Sequence, residues 1–153
     1  MTEPQNDERP PSPGDFLCRV HADLRRSLAI IRGQFDDAAA DPVPRPELRA
    51  GLTTGCLQMC DLLTRHHLHE DDDFGRLEAY FPQLAPAIRR LRAEHEDVAG
   101  ALADLRALLA RFEVGEVGAD RIRDDVVRLT TALQAHFDYE EAQLVPVLNA
   151  AAT

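Results

Sequence analysis

The chain contains no tryptophan and no lysine, and aromatic residues make up only 5% of it. A sandwich or barrel core leans on aromatic and β-branched side chains, so this scarcity favours a helical core built on Ala and Leu. Positive charge is also in deficit: the net charge is -10, and all 17 basic residues are arginine. Such a surface repels nucleic acid and anionic membranes, and neither is expected as a partner. No apolar run approaches the ~20 residues of a membrane span. The first residues lack the basic start and apolar stretch of a secretory signal, so the expected location is the cytoplasm. Cysteine is scarce and odd in number, at Cys18, Cys56 and Cys60, which excludes a disulfide framework. Cys56 and Cys60 share a helix face. A CxxxC metal site is one reading of them; thiols packed as small core residues is the one adopted.

What remains, in 153 residues, suits one domain with one core. Residues 1–14 are polar and hold four of the ten prolines, and are expected to be a disordered tail. A four-helix bundle is expected over 15–150. Asp15 is the expected N-cap of a first helix over 15–40, striped by Leu17, Val20, Leu24, Leu28, Ile31 and Phe35. A breaker-rich loop, Asp41 to Pro46, leads to a second helix with Leu48, Leu52, Cys56, Met59 and Leu63 in its stripe. Asp71, Asp72, Asp73 and Gly75 weaken that helix, which must end before Pro82. The third runs over 84–113 and the fourth over 119–149, where Pro146 is expected to end or kink it.

Each stripe is interrupted by a histidine: His21, His66, His95 and His136. His66 and His136 open the two His-x-x-x-Glu motifs, with Glu70 and Glu140 on the same helix face. About 19 residues separate His21 from the first helix's end, and about 20 separate the second helix's start from His66, roughly 30 Å each. The second pair, about 18 and 17 residues, matches as well. In an antiparallel up-down-up-down four-helix bundle all four histidines therefore stand at one level, near one end.

A lone histidine on an apolar face is ordinarily a core residue satisfied by a hydrogen bond. Four at one level with two carboxylates are different, because burying two ionised carboxylates costs too much unless cations offset them. Arg25 and Arg92 are the only arginines near enough to serve, and both sit at the edge of their stripes. Metal ions are the better answer: His21, His66, Glu70, His95, His136 and Glu140 as ligands of two iron ions under an oxo or hydroxo bridge, with zinc or manganese as substitutes. On about twelve coordination positions this leaves one or two open to a small molecule.

The register on the second helix has alternatives. His67 with Asp71, and His69 with Asp73, repeat the same spacing. His67 lies about 100° off the stripe and is expected on the flank, and His69 is a substitute or supplementary ligand. The repeat between the two motifs pairs His69 with Tyr139 and Asp71 with Glu141; all of these are candidates for hydrogen bonds around the ligands.

With His, His-x-x-x-Glu, His and His-Phe-x-x-Glu in this order, the chain resembles the hemerythrin-like (HHE cation-binding) family, from His21 to Pro146. The resemblance implies the four-helix bundle and the same six ligands. It also implies two departures. Oxygen-carrying hemerythrins have a further histidine one turn after the third-helix ligand, where this chain has Ala99, so an iron capped by three imidazoles is not expected. Many relatives have Leu-Phe-Pro where this chain has Phe74-Gly75-Arg76.

The implied function is an open iron pair reacting with hydrogen peroxide, dioxygen or nitric oxide, as an oxidoreductase of the peroxidase, catalase or nitric-oxide-linked kind, with His67, His69 or Tyr139 supplying protons and an unidentified electron donor as partner. The alternative is an iron- or oxygen-binding, sensing or iron-delivery module without turnover. A monomer or weak homodimer is expected.

Overall fold

The computed structural model describes residues 12–41 and 43–151. Four helices follow one another: α1 (Pro13–Ala39), α2 (Pro46–Tyr80), α3 (Ala85–Glu113) and α4 (Ala119–Ala151), with a 3-10 turn at Pro82–Leu84 between α2 and α3. Cross-helix contacts fix their directions. The start of α1 meets the end of α4 through Gly14 N–H and Asn149 Oδ1, while Asp36 near the end of α1 lies 3.7 Å from Arg123 near the start of α4. Likewise Asp71 meets His95 and Asp61 meets Arg106 across α2 and α3. Every neighbouring pair is antiparallel, and the chain is an all-α, up-down-up-down bundle.

α1 begins two residues earlier than expected. The cap is Ser12, whose hydroxyl accepts from Asp15 N at 3.1 Å, with Pro13 in the first turn. Asp15 is instead an acid near the positive end of the helix. Of the expected tail, residues 1–11 lie outside the described residues, and Pro13 and Gly14 belong to α1. Gly14 is there for proximity: a Cβ on it would stand 2.9 Å from the Val145 side chain.

α2 does not yield at its acidic run. It continues to Tyr80 because Phe74 is buried against Leu84, Ile88, Leu91 and Leu144 and holds the last two turns down. Phe74-Gly75-Arg76 is thus helical, and the exit is at Phe81, whose backbone leaves the helical region (φ -131°, ψ 77°) ahead of Pro82. α4 likewise passes through Pro146 to Ala151, with Leu144, Val147 and Leu148 packed on the same cluster. α3 closes with Gly115 at φ 81°, a left-handed position, and Glu116 N–H donating to the Arg111 carbonyl.

The apolar interior has two parts. The larger runs from Leu24, Leu63, Val98 and Leu133 to the α1–α2 and α3–α4 turns; Cys56 and Cys60 are fully buried within it. The smaller, around Phe74 and Leu144, closes the opposite end. The histidines lie between the two. Phe35 and Phe112 anchor the larger part, edge to face at 5.5 Å. Phe35→Ala is expected to cost about 3–5 kcal/mol, read from the urea midpoint at an unchanged slope.

Candidate metal centre

Each helix of a four-helix bundle faces two neighbours, so its buried sector is wider than a single stripe. On α2 this puts adjacent residues to different uses. His66 turns toward α1, its ring 5.4 Å from that of His21. His67 turns toward α3 and stacks on His95 at 3.9 Å and 13°. His67 is therefore buried, not on the flank. His69 is exposed.

The inward atoms form two groups that share Glu70. One is His67, Glu70, His95 and His136; the other is His21, His66 and Glu70; within each group the ligand atoms lie within 4.8 Å of one another. Glu70 Oε1 is 2.8 Å from His66 Nε2 and 3.6 Å from His95 Nε2. Glu140 Oε2 is 3.4 Å from His21 Nε2 and 3.5 Å from His136 Nε2. No cysteine belongs to either group. Three imidazoles converge on one side after all: Ala99 supplies none, and His67 arrives from α2 instead.

Outward, the ring nitrogens meet acids. His95 Nδ1 is 2.8 Å from Asp71 and His136 Nδ1 is 3.0 Å from Glu94, while His21 Nδ1 is 3.7 Å from Glu141. Asp71 and Glu141 are the residues that follow the two motif glutamates, and each faces the lone histidine of a neighbouring helix. Glu94 was not among the candidates read from the sequence; its one signal is an acid directly before a stripe histidine. Glu141 is held by Arg25 at 2.9 Å. Burial raises its carboxyl pKa, but the Arg25 bonds outweigh that and keep it below the ordinary value. Tyr139 lies under the Arg90 guanidinium at 3.7 Å, away from both groups.

This centre is short of partners. His21 Nδ1 and Nε2, His67 Nε2 and both Glu140 carboxylate oxygens are buried without a hydrogen bond, and the close pair His66 Nε2 and Glu70 Oε1 meet only as an ion-pair contact. Among the described residues no arginine neutralises the two glutamates: Arg25 pairs with Asp138 and Glu141, and Arg92 lies over the Phe74 ring. Buried carboxylates and imidazoles in this state form a donor set that cations complete. The imidazoles are ready for them, because burial lowers the pKa of His21 to about 4 and that of His67 to about 2, leaving both neutral.

The same shifts carry a prediction for the metal-free protein. The unfolded chain takes protons on these histidines near pH 6.5, while the fold refuses them until about pH 4 for His21. Stability is therefore full above pH 6.5 and falls as the pH drops below it. Between pH 7 and 5 the loss is expected to be on the order of a few kcal/mol, measured by denaturation in chelator.

Among the described residues no helix is long and apolar enough to cross a membrane. Comparison with curated proteins finds no match, and comparison with solved structures finds none. The model of one family, described as the hemerythrin HHE cation binding domain, matches residues 12–148, which is nearly the whole bundle. Together with the two histidine–glutamate groups this settles the family: the chain belongs to the hemerythrin HHE cation-binding domains and carries their metal-binding site.

Proposed function

We propose that this chain holds two iron ions side by side and uses them to react with a small oxidant or diatomic: hydrogen peroxide, dioxygen or nitric oxide. The observation that carries the reading is that each glutamate touches both histidine groups, Glu70 through His66 and His95, Glu140 through His21 and His136. Carboxylates so placed suit bridging of two ions. His67, His95 and His136 would hold one ion and His21 with His66 the other. Iron held by these residues would supply the electrons and a place for the small molecule to bind.

The chain does the rest. With a cation bound, Asp71 and Glu94 would accept Nδ1–H from His95 and His136, which would fix the tautomer and leave both Nε2 atoms, 3.1 Å apart, free as ligands. The two apolar clusters exclude water from either side. His69, on the rim of a cavity that reaches Glu70 and Glu140, is placed to pass protons. Full burial of His21 and Glu140 favours retention of the ions over their delivery elsewhere.

The test is metal content with the visible spectrum of untagged protein, followed by peroxide and nitric oxide turnover. Two irons per chain with near-ultraviolet charge-transfer bands are expected; zinc alone, or one ion per chain, would overturn the reading. Asp71→Asn and Glu94→Gln are each expected to weaken metal affinity about 10–100-fold in chelator competition, without unfolding the bundle.

A further inference from the structure

α1 and α2 share the sparsest packing of the neighbouring pairs. Near the start of α1 they part around a cavity of about 600 Å³, walled on the α4 side by Leu144 and Leu148. Leu17 and Val20 line it from α1, and Phe74 and Leu77 from α2. Its base is polar: His66, Glu70 and Glu140 reach it, whereas His67, His95 and His136 do not. At that base His66 Nε2 and Glu70 Oε1 meet at 2.8 Å, both Glu140 oxygens are buried without a hydrogen bond, and Glu140 is 0% exposed. Phe16 and Tyr80, both on the lining, are 61% and 81% exposed.

A volume of this size exceeds what a diatomic or peroxide needs and matches the pockets that enclose organic ligands, apolar in lining with a few convergent polar groups. We propose that the cavity binds a neutral amphipathic organic molecule, with an aliphatic body along the leucine wall and an O–H-bearing head, an alcohol or alkyl hydroperoxide, at Glu70 and Glu140. The charge selects the head. Two carboxylates at the base accept a hydrogen bond from O–H and repel a carboxylate, and the net charge of -10 acts in the same direction. The choice of a hydroperoxide as reactant rests on the iron reading above; binding of the alcohol does not.

The experiment is calorimetric titration of the full chain, zinc-loaded and metal-free, with 1-octanol and with octanoate. Octanol is expected to bind both forms, through its aliphatic body along the leucine wall and, in the metal-free form, also through its O–H to the two carboxylates; octanoate is expected to bind the metal-free form at least tenfold more weakly than octanol. Leu77→Trp, which fills the cavity from α2, is expected to weaken octanol at least tenfold with unchanged helix content and zinc stoichiometry. Val20→Phe fills it from α1 and serves if the first variant misfolds. No octanol binding, equal binding by the filled variants, or tighter octanoate in the metal-free form each overturns the proposal. A dimer that Leu77→Trp dissociates would assign the face to a second copy and overturn it too. Two ions per chain without octanol binding would leave the centre standing and remove the cavity reading. Octanol binding by a chain that takes up no metal at all would do the reverse.

Discussion

Glu140→Met is expected to strip the centre and yet stabilise the metal-free bundle. Glu140 is 0% exposed and neither of its oxygens has a hydrogen-bond partner, so in the metal-free protein it is a buried group with little to offset its desolvation. Methionine fills a similar volume and adapts to the surroundings. Replacing buried ionisable groups by packed apolar side chains of similar volume is worth about 1–4 kcal/mol where buried ion pairs have been replaced. The same change removes the Glu140 contacts to His21 and to His136, and with them one of the two bridges proposed between the ions. The two effects have opposite signs. Metal content by mass spectrometry should collapse, while the thermal midpoint in chelator should rise. A variant that kept its metal, or lost stability in chelator, would mean that Glu140 has a partner other than a cation.

The second large effect is expected at His67. His67→Leu should weaken binding of one of the two ions by more than the about 10–100-fold assigned to the outer acids, because it removes a ligand and not a ligand's support. His69→Leu should leave stoichiometry and affinity unchanged, since His69 is exposed and belongs to neither group. Leucine can still pack on the His95 ring, and helix content by circular dichroism separates loss of a ligand from loss of the fold. The pair is read by metal content and competition with a chromogenic chelator. Loss of metal in His69→Leu with retention in His67→Leu would reverse the assignment on α2.

Much of this centre could be read before the fold was known, because in a bundle a helix face is a matter of spacing. His21, His66, His95 and His136 fall in the apolar stripes, and equal helix lengths on either side bring them to one level. Glu70 and Glu140 follow from the i, i+4 spacing. What the stripe missed lies one residue away from it. His67 and Glu94 are each adjacent to a stripe histidine, about 100° around the helix, a position that is solvent-facing on a helix with one neighbour and buried on a helix with two. The second helix ends before Pro82, as expected, and passes its weak acidic run because Phe74 is buried; α4 continues through Pro146, where local propensity argued for an end or a kink, because Leu144 is buried in the same cluster.

Helix count, helix direction, the level of the histidines and the family are determined by the chain itself, since each depends on periodicity and distance along one helix. Tertiary structure decided which neighbour each side chain meets. It divided His66 and His67 between α1 and α3, set Asp71, Glu94 and Glu141 beside the histidines of other helices, and opened the α1–α2 cavity onto the two glutamates. The physical reason is that periodicity specifies an angle about one axis. A contact requires the relative rotation and splay of two axes, which depend on all four packed faces at once.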